Sequence, residues 1–268
     1  MTEYHYTAEN GIHFLEKQLE PATAAGRQET TYRYDDARRV TKEIRKDTNG
    51  DNVYTTYNYN PATGYLDSVT VGTSTTTYLY NAFGQMTRQI NPDGVKTGTS
   101  YGMGGEVVSE FVIEGHRDPN DADMTLTLIS QTRYTYTNEG QIELIGKYKS
   151  DTSFSYQTDM ANPADWIFTK YEYYLDGRKK KTVEDYGTGR ANLTTEYFYN
   201  YQGEIEKILY PTGKWVKTIR DGRGLVILEQ TGYGTDNVVL ETAYSYDDNG
   251  NLEQQSNPDG SIVVYTYD

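Results

Sequence analysis

The sequence predicts an all-β chain built as a long antiparallel meander of hairpins. Three observations carry this expectation: a recurring Tyr-X-Tyr pair, a Gly-bearing turn at a constant distance behind it, and too few apolar residues for a thick core. Hydrophobic residues make up 35% of the 268 positions, and the mean hydropathy is −0.81. A conventional two-layer core is therefore underfilled.

Tyrosine supplies the missing apolar surface, with 28 copies. Its large ring and polar tip suit a surface that is half buried and half wet. Pairs open at Tyr4, Tyr32, Tyr57, Tyr78, Tyr134, Tyr171, Tyr197, Tyr244 and Tyr265. They close on Tyr6, Tyr34, Tyr59, Tyr80, Tyr136, Tyr173, Tyr199, Tyr246 and Tyr267, so the motif absorbs most of the tyrosine. Degenerate copies start at Thr99 and Lys217, with Leu225 taken as the eighth place after the latter. The recurring short interval between starts is 21 residues, and longer intervals carry insertions.

Each unit can be justified in chain order. Residues two apart on a strand share a face, so both tyrosines lie on one side and the intervening, mostly polar residue on the other. The opposite face is expected to be mostly wet. Next come Asp35, Asn60, Asn81, Asn200, Asp247 or Asp268, side chains that cap turns through the backbone two residues on. Six places after the first tyrosine stand Gly84, Gly140, Gly177, Gly203 and Gly250, where a positive φ would close a hairpin. Eight places after it an apolar residue recurs at Ile12, Val40, Met86, Ile142, Ile205 and Leu252, placed to lie beside the tyrosines of the neighbouring strand. The return strand ends at Asn91-Pro92-Asp93-Gly94, at Asn257-Pro258-Asp259-Gly260, or at the variant Tyr210-Pro211-Thr212-Gly213. Proline presets φ there and glycine takes the positive value. Two strands and two turns account for the 21-residue period, and hairpins in series make a meander. A sheet of about ten such units would twist and curl.

The organisation is a single array over 1–268, with longer insertions near 108–131 and 146–170. Their loops, 116–123 and 157–166, have turn composition and read as extended hairpins or flaps leaving the sheet. The weak helical candidate is 11–25, containing Phe14, Leu15 and Leu19 and ended by Pro21. Both ends of the sequence read as the interior of a repeat, so a piece of a longer polypeptide is expected.

Function classes narrow by chemistry. The net charge of −14 argues against a nucleic-acid partner, which needs a basic stripe. No apolar run of about 18 residues is present to span a membrane as a helix. Cysteine is absent, which excludes structural disulfides and leaves the compartment open. His5, His13 and His116 are the histidines, and no nucleophile motif joins them to a serine or an acid, so no catalysis and no cofactor are expected. Asp47 to Asn52 resembles the opening of a calcium loop but carries Asn52 where the loop needs glycine, so a plain turn is favoured. The acidic loop Asp118 to Asp123 offers calcium ligands as the alternative to a solvated loop, and the solvated loop is favoured.

The pattern Y-x-Y-[DN]-x-x-G-x-[LIM] with N-P-D-G turns resembles the Rhs/YD-repeat family of bacterial polymorphic toxins, toxin-complex B and C components, wall-associated proteins and teneurins. The likeness runs along essentially the whole chain. It implies a sheet that spirals into a hollow shell around a C-terminal toxic cargo, in a secreted or cell-surface protein. Its partners would be the rest of its own polypeptide, namely further repeats and the cargo. The family's self-cleavage region, built on D-P-x-G motifs after the last repeat, has no counterpart here, and Asp118-Pro119-Asn120 does not fit it. Autoproteolysis and toxin activity therefore do not carry over. The alternative reading is a surface adhesin that stacks sugar rings on its tyrosine face, with glycans as partners.

Overall fold

The computed structural model describes residues 2–9, 12–21, 28–46, 50–114, 127–149, 160, 163–235 and 237–267. The fold is all-β, with a single 3-10 turn at Pro163–Asp165 among the described residues. Two compact units divide the chain, 1–131 with 150–157, and 132–149 with 158–268.

The first unit holds β1 (Glu3–Glu9), β2 (Ile12–Leu19), β3 (Glu29–Tyr34), β4 (Val40–Lys46), β5 (Asn52–Tyr59), β6 (Leu66–Val71), β7 (Ser74–Tyr80), β8 (Met86–Ile90), β9 (Lys96–Tyr101) and β10 (Val107–Glu114). The chain then enters β11 (Thr127–Tyr136). Residues from Thr132 onward belong to the second unit, with β12 (Ile142–Tyr148), β13 (Trp166–Tyr173), β14 (Lys179–Glu184) and β15 (Leu193–Tyr199). It continues through β16 (Ile205–Leu209), β17 (Lys214–Arg220), β18 (Val226–Tyr233), β19 (Asn237–Tyr246), β20 (Leu252–Ser256) and β21 (Ile262–Val264).

From β1 to β10, and again from β11 to β21, each strand pairs antiparallel with its sequence neighbours. Every substantial strand–strand contact within a unit joins such neighbours. Among the described residues neither unit therefore closes a second layer over its sheet, which is the usual way a domain hides an apolar face. Buried apolar side chains are few among the described residues: Phe111, Ile113, Leu128, Trp166, Phe168, Val183 and Trp215.

The turns follow local chemistry. Asn81 shows the pattern: its N–H donates to the Gln85 carbonyl, its carbonyl accepts from Gly84 N–H, and its side-chain oxygen accepts from Phe83 N and Gln85 N. That is a type I turn followed by a left-handed residue. Gly84 has φ +80° and Gly250 φ +88°. At the equivalent place in the β3–β4 turn stands Arg38, with φ +68°.

Three expectations are corrected here. Residues 12–19 form strand β2, because they find a sheet partner in β1. Since Tyr6 is followed by Thr-Ala-Glu and not by a turn motif, β1 runs on to Glu9; Tyr6 therefore faces Leu15, and Ile12 faces Glu9. The loop expected over 157–166 ends before Trp166, which opens β13 almost fully buried at 1% exposure, and 157–159 and 161–162 lie outside the described residues. The candidate loop 118–123, His116, and Asp47 to Asn49 lie outside the described residues.

Candidate functional site

The tyrosine ladder is the feature with the strongest claim to meaning, and its geometry is regular. Within each hairpin the second tyrosine faces the apolar residue eight places after the first: Tyr34 faces Val40, Tyr80 faces Met86, Tyr136 faces Ile142, Tyr199 faces Ile205 and Tyr246 faces Leu252. Tyr59 faces Leu66 after a longer turn, and Tyr173 faces Lys179.

The register then slips by one residue in each of these hairpins. Thr41, Asp67, Thr87, Glu143, Lys180, Glu206 and Glu253 are the extra residues, and each makes a β-bulge. The bulge restores a polar or apolar partner to the first tyrosine: Tyr32 faces Glu43, Tyr78 faces Gln89, Tyr134 faces Ile145 and Tyr244 faces Gln255. The same slip in β17–β18 falls between Ile219 and Arg220, so that copy aligns on Thr218-Ile219-Arg220 with Gly224 in the turn. The start at Lys217 is thereby moved by one residue, and Val226 replaces Leu225 at the eighth place.

Successive hairpins are joined through the second tyrosine. Its hydroxyl donates to the main-chain carbonyl of the eighth-place residue, or its register equivalent, in the preceding hairpin. In the first unit Tyr34 bonds Leu15 at 2.6 Å, Tyr59 bonds Val40 at 2.9 Å, Tyr80 bonds Leu66 at 3.1 Å and Tyr101 bonds Met86 at 3.0 Å. In the second, Tyr173 bonds Ile142 at 2.8 Å, Tyr199 bonds Lys179 at 2.8 Å, Tyr246 bonds Val226 at 2.8 Å and Tyr267 bonds Leu252 at 3.0 Å. The degenerate copy at Thr99 keeps this bond because it keeps Tyr101.

The first tyrosine reaches the preceding hairpin by its side chains instead. Tyr57 donates to Glu43 at 2.8 Å and Tyr244 to Glu229 at 2.8 Å. Burial, followed by the neighbouring carboxylate that accepts the hydroxyl, pushes both phenols up to about 12. Burial also raises Tyr34, Tyr59, Tyr80, Tyr173 and Tyr199. The turns are tied the other way, each to the following hairpin: Arg39 donates to Gly64 O, Gln85 to Gly105 O and Gln141 to Gly177 O. Arg39 and Arg178 also lie over the rings of Tyr59 and Tyr199 at 4.3 and 4.7 Å.

The face opposite the tyrosines is only partly wet. Arg33, Asn58, Leu79, Thr135, Phe198 and Ser245 are exposed as expected. Elsewhere on that face, however, aromatic rings lie on glycines of the neighbouring strand: Phe111 over Gly98, Phe168 with Trp166 over Gly146, and Trp215 over Gly232. A Cβ at Gly98 would stand 2.0 Å from Phe111 Cζ, so only glycine admits the ring. Sequence reading missed these pairs; the available signal was a lone glycine inside a strand pattern.

Among the described residues no group of His, Asp or Glu side chains is arranged to hold a metal ion. The local concavity that breaks the repeat is in the second unit, where 185–192 folds beside Leu144 and Phe168.

No known family profile matches the chain, and no curated protein matches it. Solved structures with similarity include a TcdB2-TccC3-TEV crystal structure, at 13% identity and TM-score 0.30, covering 86% of this chain and 15% of that one. The Photorhabdus luminescens Tc holotoxin pore gives 12% identity and TM-score 0.29, covering 91% of this chain and 16% of the other. A porin-like protein from Bacteroides uniformis gives 12% identity and TM-score 0.27, covering 86% of this chain and 93% of that one. The chain thus spans about 15–16% of the length of these toxin chains.

Proposed function

We propose that this chain is a length of wall in an Rhs/YD-repeat protein, a passive scaffold that spirals with further repeats into a shell around a C-terminal cargo. The supporting observation is the use made of the tyrosines. Their second members are tied hydroxyl-to-carbonyl from hairpin to hairpin, as a sheet needs when each unit packs only against its neighbours. Structural use of the ladder also counts against the adhesin reading, since a sugar stacked on that face would find these hydroxyls already engaged. The proposal gives the chain no catalysis of its own and places it in a secreted or cell-surface protein.

Limited proteolysis of the intact native polypeptide tests this. A C-terminal segment protected until denaturant unfolds the repeats, then cut at once, is the expected result. Cleavage of that segment in the native protein at the rate of the denatured one would remove the container role.

A further inference from the structure

A strand that outruns its next neighbour leaves main-chain groups open at the sheet edge, ready to pair with any extended chain that reaches them. Two such overhangs are capped from within. Residues 52–54 of β5 lie beyond the pairing with β6, and Gly72 N–H donates to the Tyr54 carbonyl at 3.2 Å. Residues 166–168 of β13 lie beyond the pairing with β14, and the loop 185–192 covers them. Tyr186 N–H donates to the Phe168 carbonyl at 3.1 Å, and Arg190 Nη2 to the Trp166 carbonyl at 2.9 Å.

The overhang of β19 has no such cap. Its residues 237–242 pair with β18 on one side, but pairing with β20 starts at Ala243, and no hydrogen bond closes 237–242 on that side among the described residues. Six residues of strand offer about 20 Å of edge. Natural edges are usually blunted by lysine or proline. This one carries neither, and Val238, Val239 and Leu240 stand 46, 58 and 51% exposed.

The surroundings select the occupant by charge. After Arg223 the sequence contains no lysine, arginine or histidine but eight carboxylate side chains, Glu229 on β18, Glu241 on β19 and Glu253 on β20 among them. Glu241 and Glu229 accept hydrogen bonds from Gln230 and Tyr244, both neutral, so their charges stay uncompensated. A second copy of the chain would set these acids against one another; a cationic strand would be drawn to them.

We infer that the open edge of β19 at 237–242 takes up an extended segment of a basic partner protein, about six residues of alternating apolar and cationic side chains, as an added strand. Main-chain bonds hold the segment, its apolar side chains lie beside Val238 and Leu240, and its cations meet the acids of β18 to β20. The overhang is already strand, so little ordering is left for the partner to impose on it. This goes beyond the scaffold reading, which rests on tyrosine hydroxyls and makes no use of the edge.

Fluorescence anisotropy with the full chain and a labelled heptapeptide of alternating lysine and valine tests it. Saturable binding is expected, with hydrogen exchange slowed at 237–242 in the complex. A heptapeptide of alternating lysine and proline has equal charge but cannot join a ladder, and should not bind. Glu241→Lys should weaken binding several-fold, and Val239→Lys, at an exposed position, about tenfold, since each sets a cation against the segment. Circular dichroism confirms that each variant is folded, and Glu241→Lys decides should Val239→Lys fail that check. No binding of the valine peptide, equal binding of the proline peptide, protection confined to other strands, or undiminished binding in the folded variants would overturn the assignment. So would dimerisation of the free chain through 237–242, seen as sedimentation of a dimer with the same amides protected.

Discussion

The Tyr246 hydroxyl shows how much of this fold rests on single polar atoms. Tyr246 stands opposite Leu252 in the hairpin register, while its O–H closes on the Val226 carbonyl of the hairpin before. Tyr246→Phe keeps the ring and orphans that carbonyl, and should cost about 1 kcal/mol in urea unfolding. Tyr201→Phe, at an exposed turn tip, should cost nothing measurable. The ladder also sets a pH limit. Tyr57 and Tyr244 are held at about 12, above the ordinary phenol value near 10. Their contribution is complete below pH 10 and is lost as pH rises through about 12, because the unfolded chain ionises first. Absorbance titration at 295 nm should show these two phenols ionising together with alkaline unfolding, after the exposed tyrosines. At the acidic end, Asp247 is held below the usual carboxylate range by the Asn251 side-chain amide and then by Asn251 N–H. Its small contribution fades as pH falls below 4.

At the scale of the hairpin, turns were legible from sequence and bulges were not. Gly84, Gly140, Gly203 and Gly250 all have the positive φ that their spacing predicts, since a left-handed residue is a local requirement that only a few side chains meet. Gly250→Ala puts a Cβ in ordinary van der Waals contact, 3.7 Å from Leu225 Cδ1, at φ +88°, so backbone strain alone should cost about 1–2 kcal/mol. Gly84→Ala should cost more, because its Cβ would also come within 2.4 Å of the Tyr65 hydroxyl. Urea midpoints for the pair separate strain from collision. The bulge residues, Thr41, Glu143, Lys180 and Glu253 among them, share only a polar side chain, a trait so common along this chain that it does not mark them out. The ring-on-glycine pairs escaped for a related reason: Phe111 and Gly98 are partners only through the register, which the bulges set. The 11–25 segment was misjudged because β pairing overrode a local apolar spacing.

Within each unit, the second tyrosines and the turn glycines recur in the same kinds of contact, while the non-repeating concavity at 185–192 was invisible without the fold. Strands that contact only their neighbours give stability that accumulates unit by unit. Native-state hydrogen exchange should accordingly show graded openings of hairpins and not one cooperative transition. The scaffold account makes its strongest demand on the intact polypeptide. An electron cryomicroscopy map of that protein should show these strands as a single-layer wall of a hollow body, with the second tyrosine of each hairpin reaching the carbonyl of the one before. A second sheet packed about 10 Å from the tyrosine face would contradict it.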